Sequence, residues 1–215
     1  MRPQFRKENS ESKLKALDIP INEHLPLIDA ESEVTIRSHE EVLRRLIALW
    51  SVVDKAFMRS ESITAEYIST HELQPWLSTV ENEYLFNKKS NDQDNIHFSW
   101  QLETMCFVAW CAGLLDCAEI PNGESSVKSI LHLFPNATEQ PDRLRAAIKL
   151  RSKSEVLDRA DLMYRLHWAV RNAELMATRA PSGINGGVVK EWHRAVNWMI
   201  CYDSENDWDQ VGTDT

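Results

Sequence analysis

Glycine and proline are scarce in this chain, 6 and 8 among 215 residues, and long stretches rich in Leu, Ala, Glu, Lys and Arg take their place. That balance favours helix over sheet. Cysteine is sparse too. Cys106, Cys111, Cys117 and Cys201 form no C-x-x-C, and three of them crowd into one expected helix region, so no zinc ribbon is written here. They read as free thiols of a reducing compartment. No apolar run approaches the ~20 residues that a bilayer span needs, the longest uncharged one being 104–115. The N-terminus is charged and lacks the apolar stretch of a signal peptide, so a cytoplasmic location is expected. Basic residues are outnumbered, 24 Lys and Arg against 33 Asp and Glu, for a net charge of -9. Nucleic acid and anionic membrane are therefore not expected partners, since both require basic surface. Neutral or basic partners suit the charge better. Nor is there a G-x-S-x-G, a P-loop, a G-x-G-x-x-G or an H-E-x-x-H.

What the chain has is tryptophan, eight of them, within a 43% hydrophobic composition. Rings of that size bury large areas, and 215 residues suffice for one core. The expectation is a single all-α domain over 1–215, of seven or eight helices. An irregular arm covers 1–37, containing a short charged helix at 4–17 and a small β-hairpin pairing 25–28 with 34–36. An acidic tail, 203–215, packs on the body.

Ser38 and Glu41 form a capping box that opens a helix to about residue 58, with an apolar stripe of Val42, Leu46, Leu49, Trp50, Val53 and Phe57. Ser78 and Glu81 repeat the device ahead of a helix ending at Phe86, and a polar, mobile loop is expected at 87–95. Ser99 caps a helix to Asp116, Ser154 caps a long helix to about Ala177, and a last helix spans 188–202.

Histidine, arginine, carboxylate and tryptophan crowd together at helical spacing in only two places, 161–171 and 191–198. His167 shares a face with Val156, Ala160, Met163 and Val170; His193 shares one with Val189, Val196 and Ile200. Both imidazoles therefore point toward the core. If the two helices pair as a hairpin across residues 181–187, the rings approach each other. Glu103, alone on the apolar stripe of Trp100, Phe107, Trp110 and Leu114, is the natural third member.

Two histidines and a carboxylate are the donor set of a divalent metal site, or of an acid–base pair oriented by an acid. The competing reading is that each histidine fills space and bonds to a neighbour. Arg165, Trp168 and Arg171 on the opposite face suit a small anionic ligand or a protein partner. The favoured reading is that Arg165 and Arg171 are structural, paired with the acids of the tail or with Glu103. In the tail, Asp203, Glu205, Asp207, Asp209 and Asp214 match ligand places of a calcium loop, but Trp208 stands where glycine is needed, so calcium is not expected. Trp208 is expected to anchor the tail.

The motifs Arg165-Leu-His-Trp-Ala-Val-Arg171, Glu191-x-His-x-Ala-x-Asn-Trp198, Asp207-Trp-Asp-x-Val-x-Thr-Asp-Thr215 and Ser99-Trp100-x-x-Glu103 resemble those of a bacterial family known as domain of unknown function 4272. Ile19-Pro-x-Asn-Glu-x-Leu-Pro26 and Glu40-Glu-Val-Leu-Arg-Arg45 extend the likeness over nearly the whole chain. At position 192, where that pattern leads one to expect a base, this chain has Trp192. The resemblance implies a helical fold and carries no mechanism. The residues favour a non-catalytic protein- or ligand-binding module, with Arg165, Trp168, Arg171, Glu191, Trp198, Trp100, Asp207 and Asp209 as binding candidates. The alternative is a hydrolytic enzyme built on His167, His193 and Glu103.

Overall fold

The computed structural model describes residues 2–86, 91–136 and 138–215. Among the described residues there are nine α-helices and no strand. They are α1 (Pro3–Ala16), α2 (His39–Met58), α3 (Thr64–Thr70), α4 (Thr79–Phe86), α5 (Asp92–Cys111), α6 (Val127–Ile130), α7 (Asp142–Ala147), α8 (Lys153–Leu175) and α9 (Gly186–Met199). The excess over seven or eight comes from short pieces such as the four-residue α6. No helix among the described residues is long and apolar enough to cross a membrane.

The long helices start where side chains satisfy their first backbone N–H groups. Ser38 and Glu41 cap each other reciprocally at α2, and Ser152 and Glu155 do the same at α8. The start of α8 is thus two residues before the expected Ser154. At α5 the box is made by Asn91 and Asp94, well ahead of the expected Ser99 cap. The reason is burial: Tyr84 donates to Asn95 Oδ1 at 2.8 Å and stacks on Phe98 at 3.9 Å, so the polar turn before Ser99 is pinned as helix. Ser99 instead donates back to the Ile96 carbonyl. Of the loop expected at 87–95, residues 87–90 lie outside the described residues.

The helices pack in a row: α2 on α5, α5 on α9, α9 on α8 and α8 on α1. α5 lies between α2 and α9, and residues 101–112 are buried on every side. A helix enclosed on all faces must be apolar all round, which accounts for the uncharged run at 104–115. The entry of α9 depends on two glycines. A Cβ on Gly186 would stand 2.8 Å from Val170 Cγ1, and one on Gly187 would stand 2.7 Å from the Trp100 ring. Gly186 meets Val170 while His193 meets His167, so α8 and α9 run antiparallel.

The N-terminal arm carries the helix expected at 4–17, observed as Pro3–Ala16, and corrects the expected hairpin. α1 is a full helix whose Arg6, Ser10 and Leu14 are buried, and it packs on α8. The hairpin of 25–28 and 34–36 is not formed. Side-chain donors take its carbonyls instead: Lys7 bonds Leu25 O, Arg165 bonds Pro26 O, and Lys153 bonds Glu31 O and Val34 O. With acceptors satisfied by α1 and α8, pairing offers this segment little.

Candidate functional site

The hairpin of α8 and α9 brings His167 and His193 into direct contact. Their Nδ1 atoms are 2.9 Å apart, the rings stand at 84°, and the residues are only 4% and 3% exposed. A bond between two ring nitrogens needs one N–H and one lone pair, so the two tautomers are coupled. Burial pushes the His167 pKa down to about 4, aided by the positive charge of Arg171. Burial and its partner push that of His193 down to about 3. Both rings are neutral at ordinary pH. The terminal Thr215 hydroxyl lies 3.5 Å from His167 Nδ1.

Glu103 does not join them. Its Oε1 accepts from the Ser125 N–H at 2.6 Å and its Oε2 from the Ser125 hydroxyl at 2.8 Å. Burial nonetheless raises its pKa against the lowering effect of these bonds. The carboxylate thus serves to fix the loop ahead of α6. No group of three or more His, Cys, Asp or Glu among the described residues is arranged to hold a metal ion. The expected His, His and Glu set is therefore a histidine pair and a separate loop anchor.

The arginine face is committed as well. Arg165 is fully buried and forks onto Asp161 of its own helix, Nε to Oδ2 at 2.9 Å and Nη2 to Oδ1 at 2.8 Å, with Glu11 of α1 at 3.7 Å. These acids come from α8 and α1, not from the tail or Glu103. Arg171 is half exposed and pairs with Glu174 at 2.6 Å. Trp168 is half-buried against the core. Glu191 accepts from Thr104 at 2.7 Å, tying α9 to α5, while Trp100 covers Gly187. None of these side chains lines the cavity described next.

The tail does fold back. Trp208 is buried with its ring between Arg45 and Arg194, whose guanidinium carbons lie 4.3 and 4.5 Å from the ring centroid, and edge-on to Trp198 at 5.7 Å. Arg45 also pairs with the buried Glu81. Among the described residues, however, no tail acid bonds to an arginine of the hairpin. Asp209 accepts from the Val80 N–H at the start of α4, and Asp207 accepts from the Asp209 N–H. Arginines hold the tail mostly through backbone carbonyls: Arg194 bonds Trp208 O, and Arg37 bonds Glu205 O as well as the Asn206 side-chain oxygen. A carbonyl is the acceptor every residue offers, which is why side-chain charge alone does not identify these partners.

Beside the histidine pair lies a cavity of about 530 Å³. The arm forms one wall, Tyr164 and Ala160 of α8 a second, and His193 and Asn197 of α9 a third; residues 200–204 and Asp214 complete it. Four carboxylates line it, Asp29, Glu33, Asp203 and Asp214, and among the described residues no lysine or arginine does. Tyr202 donates to Asp214 Oδ2 at 3.0 Å. The rim is strained: Cys201, Asp203 and Ser204 take φ of 51°, 53° and 60°, left-handed values that cost non-glycine residues energy and gather at functional sites. The acidic cluster at 29–33 and the acidic tail are plain in the sequence. That they face one another across α8 and α9 depends on tertiary packing that no local spacing encodes.

The family described as Domain of unknown function (DUF4272) matches residues 6–211 of the chain. No curated protein and no solved structure matches it.

Proposed function

The chain belongs to the DUF4272 family, and from that premise we propose that it is a non-catalytic cytoplasmic binding protein whose 530 Å³ cavity takes a small organic cation. The observation that carries this reading is the charge of the lining, four carboxylates with no lysine or arginine among the described residues. Such a wall attracts positive charge and repels anions. Its volume falls in the range of about 300–1,000 Å³ typical of small-molecule sites. Tyr164 and Tyr202 add aromatic faces that favour an ammonium or guanidinium group. Four free cysteines support the reducing location.

The histidine pair gives the cavity an uncharged, adaptable wall. When His167 donates through Nδ1, His193 carries its proton on Nε2 and offers a donor; when the bond reverses, Nε2 becomes an acceptor. Either arrangement keeps the ring neutral beside a cation. The hydrolytic alternative is less well supported. A base whose pKa is held near 3 is poorly matched to proton abstraction at neutral pH, and Glu103 is bound to Ser125.

Calorimetry against agmatine, choline and acetate tests the reading. A cation should bind one to one, more weakly as salt rises, with affinity falling about fivefold or more in the D203N/D214N double variant. Binding of acetate with rejection of both cations would overturn it.

A further inference from the structure

Arg6, on the first helix, is 1% exposed. Its Nε donates to Asp158 Oδ1 at 2.7 Å, but Nη1 and Nη2 have no hydrogen-bond partner among the described residues. Four N–H groups of a buried cation are thus left without an acceptor. Buried polar groups are rarely abandoned in this way, and an unfilled guanidinium fork is the half of a site that receives an oxyanion.

Arg6 lines a cavity of about 220 Å³ between α1 and α8, together with Lys13, Trp110 and Arg159. The carboxylates in its wall are spent. Asp158 is held by Arg6, Glu119 by Lys13, and Glu155 by the Ser152 cap and Arg151. Arg159 has no carboxylate partner among the described residues. It donates to the carbonyls of Ala118 and Glu119 and lies over the Trp110 ring at 4.7 Å. A free guanidinium fork and an uncompensated second arginine therefore share one small chamber. We propose that this chamber binds a small oxyanion, a phosphate- or carboxylate-sized group gripped by Arg6 and attracted by Arg159. At 220 Å³ it lies below the usual range for larger organic ligands. It is separate from the cation cavity, so either proposal can fail alone.

The test is calorimetric titration of the full chain with inorganic phosphate, sulfate and acetate in turn, which separates tetrahedral from planar oxyanions. Saturable one-to-one binding of at least one is expected, reduced tenfold or more in R6K, which keeps the charge beside Asp158 but removes the fork. R159Q leaves the Arg6 and Asp158 pair intact and should lower affinity several-fold. R171Q, on the exposed end of α8, should not change it. If R6K fails to fold, R159Q decides. Absence of saturable binding for all three anions overturns the proposal, because ordered water then suffices for Arg6. Binding that R159Q and a folded R6K leave unchanged overturns it equally.

Discussion

His167 and His193 share a single proton position between two Nδ1 atoms 2.9 Å apart, sealed in the seam of α8 and α9. The folded protein holds both pKa values below the ordinary 6.5, at about 4 and about 3. The unfolded chain therefore binds more protons than the folded one between those values and 6.5, and stability must fall as pH drops through that window. A shift from 6.5 to about 4 corresponds to roughly 3 kcal/mol for one ring, fully lost only below the folded value. Urea melts at pH 7.5, 5.5 and 4.5 should show this loss, and the H167L/H193L double variant should lose markedly less over the same range. An identical acid response in the variant would assign the loss to carboxylates.

Gly187 admits the Trp100 ring where any Cβ would stand 2.7 Å from it. Alanine is the better helix former by about 1 kcal/mol, yet overpacking a closed contact costs about 1–3 kcal/mol. The clash should prevail, so Gly187→Ala is expected to destabilise by up to about 2 kcal/mol. Gly123, where an added methyl would meet nothing within 4 Å, should tolerate alanine within about 0.5 kcal/mol. Thermal melts of the two variants side by side decide the matter, and equal losses would show that α9 can shift to accommodate the methyl.

The helical class and the meeting of His167 with His193 are legible in the sequence because both follow from the 3.6-residue period, which the chain writes clearly at 156–170 and 189–200. The start of α5 is not, because it depends on Tyr84 reaching Asn95 and Phe98 from another helix. The hairpin at 25–36 is plausible by local pattern, and loses to Lys7, Lys153 and Arg165 supplying donors from afar. Glu103 stands out in the sequence as a buried acid, but its partner Ser125 lies in a loop whose approach no helical spacing foretells.

Trp208 links the tail to the binding cavity. Its ring fills the space between Arg45 and Arg194, and beyond it the chain runs to Asp214 at the cavity wall. Trp208→Ala should cost about 3–5 kcal/mol in stability, as for other buried large aromatic residues. It should also free the final residues, seen as faster proteolytic trimming after position 208, and weaken cation binding by removing Asp214 from the wall. Trimming unchanged from the parent protein would mean that the hydrogen bonds from Arg194, Arg37, Val80 and Asn197 hold the tail without the ring.

Glu103→Gln separates binding from hydrolysis. Glutamine keeps one acceptor for Ser125 but turns its amide N–H toward the second donor, sacrificing one hydrogen bond. Against that loss, it removes a charge that burial disfavours, since the Glu103 pKa is raised in the folded state. A raised carboxyl favours the native state when protonated, so ionised Glu103 weakens folding as pH climbs above its ordinary value of 4.5. The two effects oppose each other, and the net change at pH 7 should stay within about 1 kcal/mol. Cation affinity in the cavity beside His193 should not move, because the carboxylate is spent on a different loop. Should the variant instead abolish a measurable hydrolytic activity while leaving folding intact, Glu103 and the histidine pair would have to act together, and the binding reading would give way.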